Sequence, residues 1–183
     1  MGKQVASVLL LVLLLFVLNF FRDPERKIPD APGLFVSPAD GKVIRAEVMN
    51  GVARIDIFMN VFNVHVNRSP AEGRITHMQY TPGKFINAAF DAATDENERN
   101  RFEMETSEGD KIAFTQISGL IARRIVSYVA VGDEVGRGAR IGMIRFGSRV
   151  NCEFPADCEI LVKPGKHVSA GSTILARKPG ASA

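Results

Sequence analysis

The sequence predicts a mainly β protein, a small β-sandwich behind one N-terminal hydrophobic helix. Three observations predict it. Short β-like runs recur from residue 34 onward, separated by Gly, Asn, Asp and Ser turn residues. A glycine-turn pattern occurs twice in the last third of the chain. Residues 5–21, VASVLLLVLLLFVLNFF, carry no charge.

The apolar run comes first. As a helix it would be about 26 Å long, slightly short of a hydrocarbon core of about 30 Å. A cleaved signal peptide needs a small-residue cleavage site, which this run lacks, and a basic start, which Lys3 supplies thinly. Arg22, Arg26 and Lys27 outweigh Lys3 with the amino terminus. The positive-inside rule then places residues 22–183 in the cytoplasm. The expectation is an uncleaved anchor over residues 1–22, at the cytoplasmic face of the inner (cell) membrane. Pro24, Pro29 and Pro32 oppose helix continuation and make residues 23–33 a linker.

The β domain, residues 34–183, follows. KVIRAEVM (42–49) and VARIDIFM (52–59) flank Asn50-Gly51, which predicts a hairpin. Residues 73–80, 101–106 and 111–117 read as strands, the last two joined by a turn at 107–110. ARIGMIRF, SRVNCEF, CEILV and TILA complete the set. Residues 84–100 alternate poorly and carry dense charge, so they read as a long loop with some helix.

VGDEVGRGARIG (131–142) matches PGKHVSAGSTIL (164–175). Gly132 pairs with Gly165, Val135 with Val168, Gly138 with Gly171, and Ile141 with Ile174. Each copy is a glycine turn, a core valine, a second glycine turn and a strand. Two copies predict two similar edges related by an approximate twofold axis. The pattern resembles biotinyl/lipoyl-type barrel-sandwich hybrids, and SPADGKV (37–43) fits the same style.

Composition narrows function. The formal charge is +3, there is no Trp, and there is no Lys/Arg-rich arm. Nucleic acid is therefore not an expected partner. Cys152 and Cys158 with three scattered histidines make a poor zinc set, so no metal is expected. The two cysteines read as reduced and packed.

Gly147-Ser148 is the first candidate for chemistry. Glycine leaves its own carbonyl sterically open. A serine hydroxyl can attack the preceding carbonyl and turn the amide into an ester. β-Elimination then breaks the chain, and the dehydroalanine left behind hydrolyses to a pyruvoyl group. This needs a base near Ser148 and donors near the Gly147 carbonyl. His65, in FMNVFNVHVNRSPAEG (58–73), reads as half-buried with polar neighbours Asn63, Asn67 and Arg68 and can relay protons. His77, on a strand, and His167, in a glycine turn, are lesser candidates. Asp40 is a turn residue that could also orient a histidine, giving a serine–histidine–aspartate set. Arg99, in a polar cluster over 97–101, and Arg123-Arg124, in LIARRIV, are cations suited to phosphate or to an acidic membrane.

Taken in order, FFRDPER, VSPADGKV, FMNVFNVHVNRSPAEG, PGKFINAAFDAATDENERN, SGLIARRIV and VGDEVGRGARIGMIRFGSRV resemble one family. It is that of the short, membrane-associated phosphatidylserine decarboxylases, pyruvoyl-dependent enzymes made as self-cleaving proenzymes. The resemblance implies cleavage between Gly147 and Ser148. The products, residues 1–147 and 148–183, would stay associated, with a pyruvoyl group derived from Ser148 and no metal. Asp40 and His65 take roles in processing, and His65 also protonates the product carbanion. The implied reaction turns phosphatidylserine into phosphatidylethanolamine and carbon dioxide through a Schiff base, a step of phospholipid biosynthesis. Arg99, Arg123 and Arg124 would meet the lipid phosphate. Longer members carry Leu-Gly-Ser-Thr and two histidines in the motif around His65. This chain has Phe146-Gly147-Ser148-Arg149, as in the short branch, and one histidine.

Other classes stay open at this stage. An ether-lipid serine headgroup would use the same chemistry. A biotinyl or lipoyl carrier would need a Met-Lys or Asp-Lys-Ala tip, which the repeat lacks. A tethered serine hydrolase would carry Gly-x-Ser-x-Gly, also absent. A homo-oligomer is compatible with the sequence.

Overall fold

In a computed structural model, residues 2–90, 93–119, 124–145 and 148–181 are described. Helix α1 (Gly2–Phe20) is exposed along almost its whole length. Its leucines and valines carry no charge or proline to interrupt it, and only Phe20 is buried. Phe20 packs with Val64, Val66 and Met143 of the β domain. Arg22 continues that junction, donating from Nη2 to the Phe62 carbonyl at 2.8 Å.

Residues 23–33 form neither helix nor strand, as their prolines require. They are nonetheless pinned to the domain. Asp23 pairs with Arg68 at 2.7 Å and with Arg140, and Arg26 pairs with Asp40 at 2.9 Å. Arg137 donates to the Pro29 and Ala31 carbonyls, each at 2.8 Å.

The strands are β1 (Leu34–Val36), β2 (Gly41–Met49), β3 (Val52–Met59), β4 (Val66–Arg68), β5 (Gly73–Thr81), β6 (Arg99–Thr106), β7 (Lys111–Ser118), β8 (Ile125–Ser127), β9 (Glu134–Val135), β10 (Arg140–Ile144), β11 (Ser148–Pro155), β12 (Glu159–Ile160), β13 (His167–Val168) and β14 (Ile174–Arg177). A short helix, α2 (Ala93–Glu96), lies in the long segment before β6. Among the described residues the strands form one eight-stranded sheet, ordered β13-β2-β3-β11-β7-β6-β5-β9, and two three-stranded sheets, β1-β14-β12 and β4-β10-β8. The β2–β3 hairpin turns at Asn50 and Gly51, with φ of 51° and 78°, as a type I′ turn needs.

This order is a palindrome about the β11/β7 pair. The repeat explains it, since β13 and β9 carry the two copies of the glycine-turn pattern and lie at opposite edges. His167 therefore sits in an edge strand rather than a turn. The symmetry reaches further than residues 131–142 and 164–175. SPADG (37–41) and SPAEG (69–73) form a second pair. Ser37 and Ser69 donate to the Ala39 and Ala71 carbonyls, both at 2.6 Å. The Val36 amide donates to the Pro70 carbonyl and the Arg68 amide to the Pro38 carbonyl, both at 2.9 Å. Each copy ends in a glycine that admits no side chain. A Cβ on Gly41 would lie 2.2 Å from the Phe58 carbonyl oxygen, and one on Gly73 would lie 2.2 Å from that of Glu105.

One apolar core fills the inside of the large sheet, including Ile55, Ile57, Phe102, Phe114, Val150 and Phe154. Cys152 and Cys158 are free and buried within it. Burial pushes the Cys158 thiol up to about 11 and that of Cys152 higher than usual as well, which keeps both protonated.

Candidate active site

Strand register sorts the inner face of the sheet into rows. Ile55, Cys152, Phe114 and Phe102 form a wholly apolar row. The next row is Ile57, Val150, Gln116 and Asn100. The last is Met59, Ser148 and Ser118, and it extends to Glu98 because the Ser118 amide donates to the Glu98 carbonyl at 2.9 Å. The inner face thus runs from hydrocarbon to buried polar groups, and Ser148 lies at the polar end.

Ser148 is fully buried, and its Oγ donates to the Met59 sulfur at 3.3 Å. Asn67 points Nδ2 at the same sulfur at 3.8 Å and accepts from Gln116 Nε2 at 2.8 Å. These contacts tie β3, β4, β7 and β11 together around the hydroxyl. Gly147 and Phe146 lie outside the described residues.

His65 precedes β4 and is fully buried rather than half-buried, because the ring of Phe20 covers it at 4.3 Å between centroids. Burial lowers its pKa from 6.5 to about 4, opposed by the Asn63 carbonyl, which lies 2.9 Å from Nδ1. The neutral ring donates from Nδ1 to that carbonyl. Its Nε2 then carries a lone pair and has no hydrogen-bond partner among the described residues.

Asp40 is brought near His65, close enough to favour the imidazolium charge, but it makes no hydrogen bond to the ring among the described residues. Its carboxylate instead accepts from Arg26 at 2.9 and 3.0 Å and from the Ala170 amide at 2.7 Å. Asp40 therefore locks the linker and the β13–β14 turn onto the site.

Arg99 alternates to the opposite sheet face from Ser148. Its Nη1 donates to the Asp95 carbonyl at 2.7 Å, bracing the segment around α2. Arg124 is exposed and lies close enough to Tyr80 to act on its phenol electrostatically. Arg123 lies outside the described residues. His77, on β5, and His167 are exposed and apart from this cluster.

Six buried side-chain polar atoms lack a partner among the described residues: those of His65, Glu98, Gln116, Ser118, Arg26 and Arg137. The first four belong to the polar end of the sheet or to the histidine beside it. A buried polar atom left without a partner costs about 1–3 kcal/mol, so such a cluster marks a place built for something else to bind or react.

Comparison with known proteins places the chain in a family. The model of the family described as phosphatidylserine decarboxylase matches residues 13–176. The chain belongs to the phosphatidylserine decarboxylase family. A phosphatidylserine decarboxylase proenzyme of Nitratidesulfovibrio vulgaris is 53% identical over 183 residues, covering 97% of this chain and 84% of that protein. Those of Burkholderia multivorans and Symbiobacterium thermophilum are each 48% identical, covering 90% and 91% of this chain and 80% and 81% of their own length. The decarboxylase family match thus takes in the last turn of α1, both halves of the repeat and every residue of the polar row.

Sequence reasoning placed Glu98 only within the polar cluster over 97–101 and did not single out Gln116 and Ser118. A signal was present. Asn100 lies two residues before Phe102 on β6 and Gln116 two after Phe114 on β7, so both occupy positions that these phenylalanines predict to face the core. Polar residues at inward positions need a partner, and here the partner is the site.

Proposed function

We propose that this protein is a membrane-anchored proenzyme. It cuts itself between Gly147 and Ser148 and then converts phosphatidylserine to phosphatidylethanolamine and carbon dioxide. Family membership supports the reaction. The observation that carries its assignment to these residues is a buried serine directly after a glycine, in a sheet row that also holds the unpartnered buried atoms of Ser118 and Glu98.

The division of labour follows from protonation states. His65, neutral and with Nε2 open, takes the Ser148 hydroxyl proton as the oxygen attacks the Gly147 carbonyl carbon. Asp40 orients the polypeptide around the histidine through Arg26 and Ala170 and adds a negative field that eases the imidazolium. The acyl shift breaks the Gly147–Ser148 C–N bond; removal of the Ser148 Cα proton then breaks the ester's Cβ–O bond and leaves residues 1–147 with a new carboxylate. Water then adds to the imine form of the dehydroalanine and ammonia leaves, so residues 148–183 begin with the former Ser148, now a ketone. The strand pairs β11–β3 and β11–β7 keep the two fragments together after the cut. The residues present fit a pyruvoyl group, since the row and its neighbours around Ser148 hold buried hydrogen-bonding groups with spare capacity. When formed, that group supplies the electron sink for loss of carbon dioxide. His65 Nε2, once protonated, returns a proton to the carbon from which carbon dioxide has left. Arg124, exposed, and Arg123 are the cations assigned to the lipid phosphate, and Arg99 acts through the segment it braces.

The same reading assigns residues 1–22 as the anchor, 23–33 as the linker and 34–183 as the catalytic domain. An apolar helix exposed along its length suits lipid, and Phe20 joins it directly to His65. The membrane is the inner membrane and the domain lies on its cytoplasmic face. The two-edged repeat is the feature held in common with biotinyl/lipoyl-type sandwiches.

The intact mass of the denatured wild-type protein tests the proposal. Two fragments divided at residue 147, the smaller with a carbonyl terminus, are expected, and Ser148→Ala remains one chain. A single unmodified wild-type chain would refute it.

A further inference from the structure

Glu98 is the one carboxylate with an unpartnered oxygen among these buried atoms. It is 5% exposed. Its Oε1 accepts from the Tyr80 hydroxyl at 3.0 Å, while Oε2 has no partner among the described residues. Its backbone is fixed on both sides, since its amide donates to the Lys84 carbonyl at 3.1 Å and its carbonyl accepts from Ser118. Glu98, Ser118 and Ser148 follow one another along one row of the inner face. Two strand spacings, about 10 Å, separate Glu98 from Ser148. The Glu98 carboxylate is held from the β5 side by Tyr80, and the unpartnered Ser118 hydroxyl lies on the strand between it and Ser148.

A buried carboxylate held through one oxygen and open at the other is a receptor for a cation. The phosphatidylserine headgroup brings one, its primary ammonium. The ammonium must lose a proton before its nitrogen can act as a nucleophile. Arg124, exposed and near Tyr80, lies further out. The headgroup is ordered the same way, with phosphate toward the lipid and amine at the far end.

We infer that Glu98 receives the substrate's ammonium on Oε2, beside Ser118, and accepts one proton from it. The N–H bond breaks, an O–H bond forms on the carboxylate, and the nitrogen keeps the electron pair with which it attacks. Tyr80 is the positioning residue for that carboxylate. This inference rests on the decarboxylase reading.

The test uses the full-length protein, fully processed as judged by mass, in mixed micelles. Wild type is compared with Glu98→Gln for three properties. These are labelling of the 148–183 terminus by phenylhydrazine, inhibition by phosphatidylethanolamine, and inhibition by phosphatidic acid, which has phosphate but no amine. In Glu98→Gln, labelling and phosphatidic acid inhibition stay at the wild-type level. Phosphatidylethanolamine inhibition weakens at least tenfold, and kcat/KM falls at least tenfold and recovers as pH rises and free amine accumulates. Tyr80→Phe gives the same pattern in smaller degree and replaces Glu98→Gln if that variant does not cleave. Unchanged phosphatidylethanolamine inhibition overturns the inference. So does a parallel loss of both inhibitions or slowed labelling, which would make Glu98 structural. Absence of a carbonyl terminus in wild type would instead refute the decarboxylase reading.

Discussion

His65 should make the fold acid-sensitive by an amount the structure sets. The ring is neutral because it is buried, with a pKa of about 4 against 6.5 when exposed. Below pH 6.5 the unfolded chain takes up a proton that the folded chain refuses. Stability therefore falls with falling pH, from about 6.5 down to about 4, and the full difference is worth about 3.4 kcal/mol. At pH 4.5 the loss is about 2.5 kcal/mol relative to pH 7. The assay is denaturant unfolding of full-length Ser148→Ala, a single chain, in detergent from pH 7 to 4.5. The control is the same protein with His65→Gln. Carboxylates contribute to both curves, so the difference between them isolates the histidine. Parallel pH dependences would refute the reasoning, because they would mean that His65 is already protonated or hydrated in the fold. The same neutrality predicts that self-cleavage runs at a nearly constant rate between pH 5 and 8.

Further outcomes follow from the packing. Phe20→Ala opens the cover over His65, costing about 3 kcal/mol. It also raises the histidine pKa toward 6.5, which an NMR titration of the ring would detect; an unmoved titration would show that the helix does not shield it. Asp56 is fully buried and shared by Arg45, Arg54 and Arg149, so Asp56→Ala should cost about 3–5 kcal/mol in the same unfolding assay. Gly41→Ala and Gly73→Ala each drive a methyl group into a backbone carbonyl. Both should lose about 1–3 kcal/mol and resemble one another, as symmetry-related positions must.

Much of the architecture was legible in the sequence because it is local. Asn50-Gly51 dictates its hairpin through left-handed backbone angles that few other residues accept. The uncharged run dictates α1, and the prolines after it dictate where α1 stops. The glycine-turn repeat carried the two sheet edges, since identical turns build identical corners. Gly147-Ser148 and the motif around His65 stood out as candidates for chemistry, the hydroxyl and open carbonyl from the residues themselves and their reaction from family resemblance.

Tertiary structure alone decided how those pieces act. A sequence does not state register, and register is what aligns Met59, Ser148, Ser118 and Glu98 into one buried row. Nor does it show that Phe20 travels from the apolar helix to lie on His65, removing water from the ring and setting its protonation. Asp40 reads in sequence as a partner for histidine, yet Arg26 and Ala170 take its carboxylate instead. The sequence by itself determined which groups could react. Burial and strand pairing, which join residues far apart in the chain, decided their charge states and their neighbours.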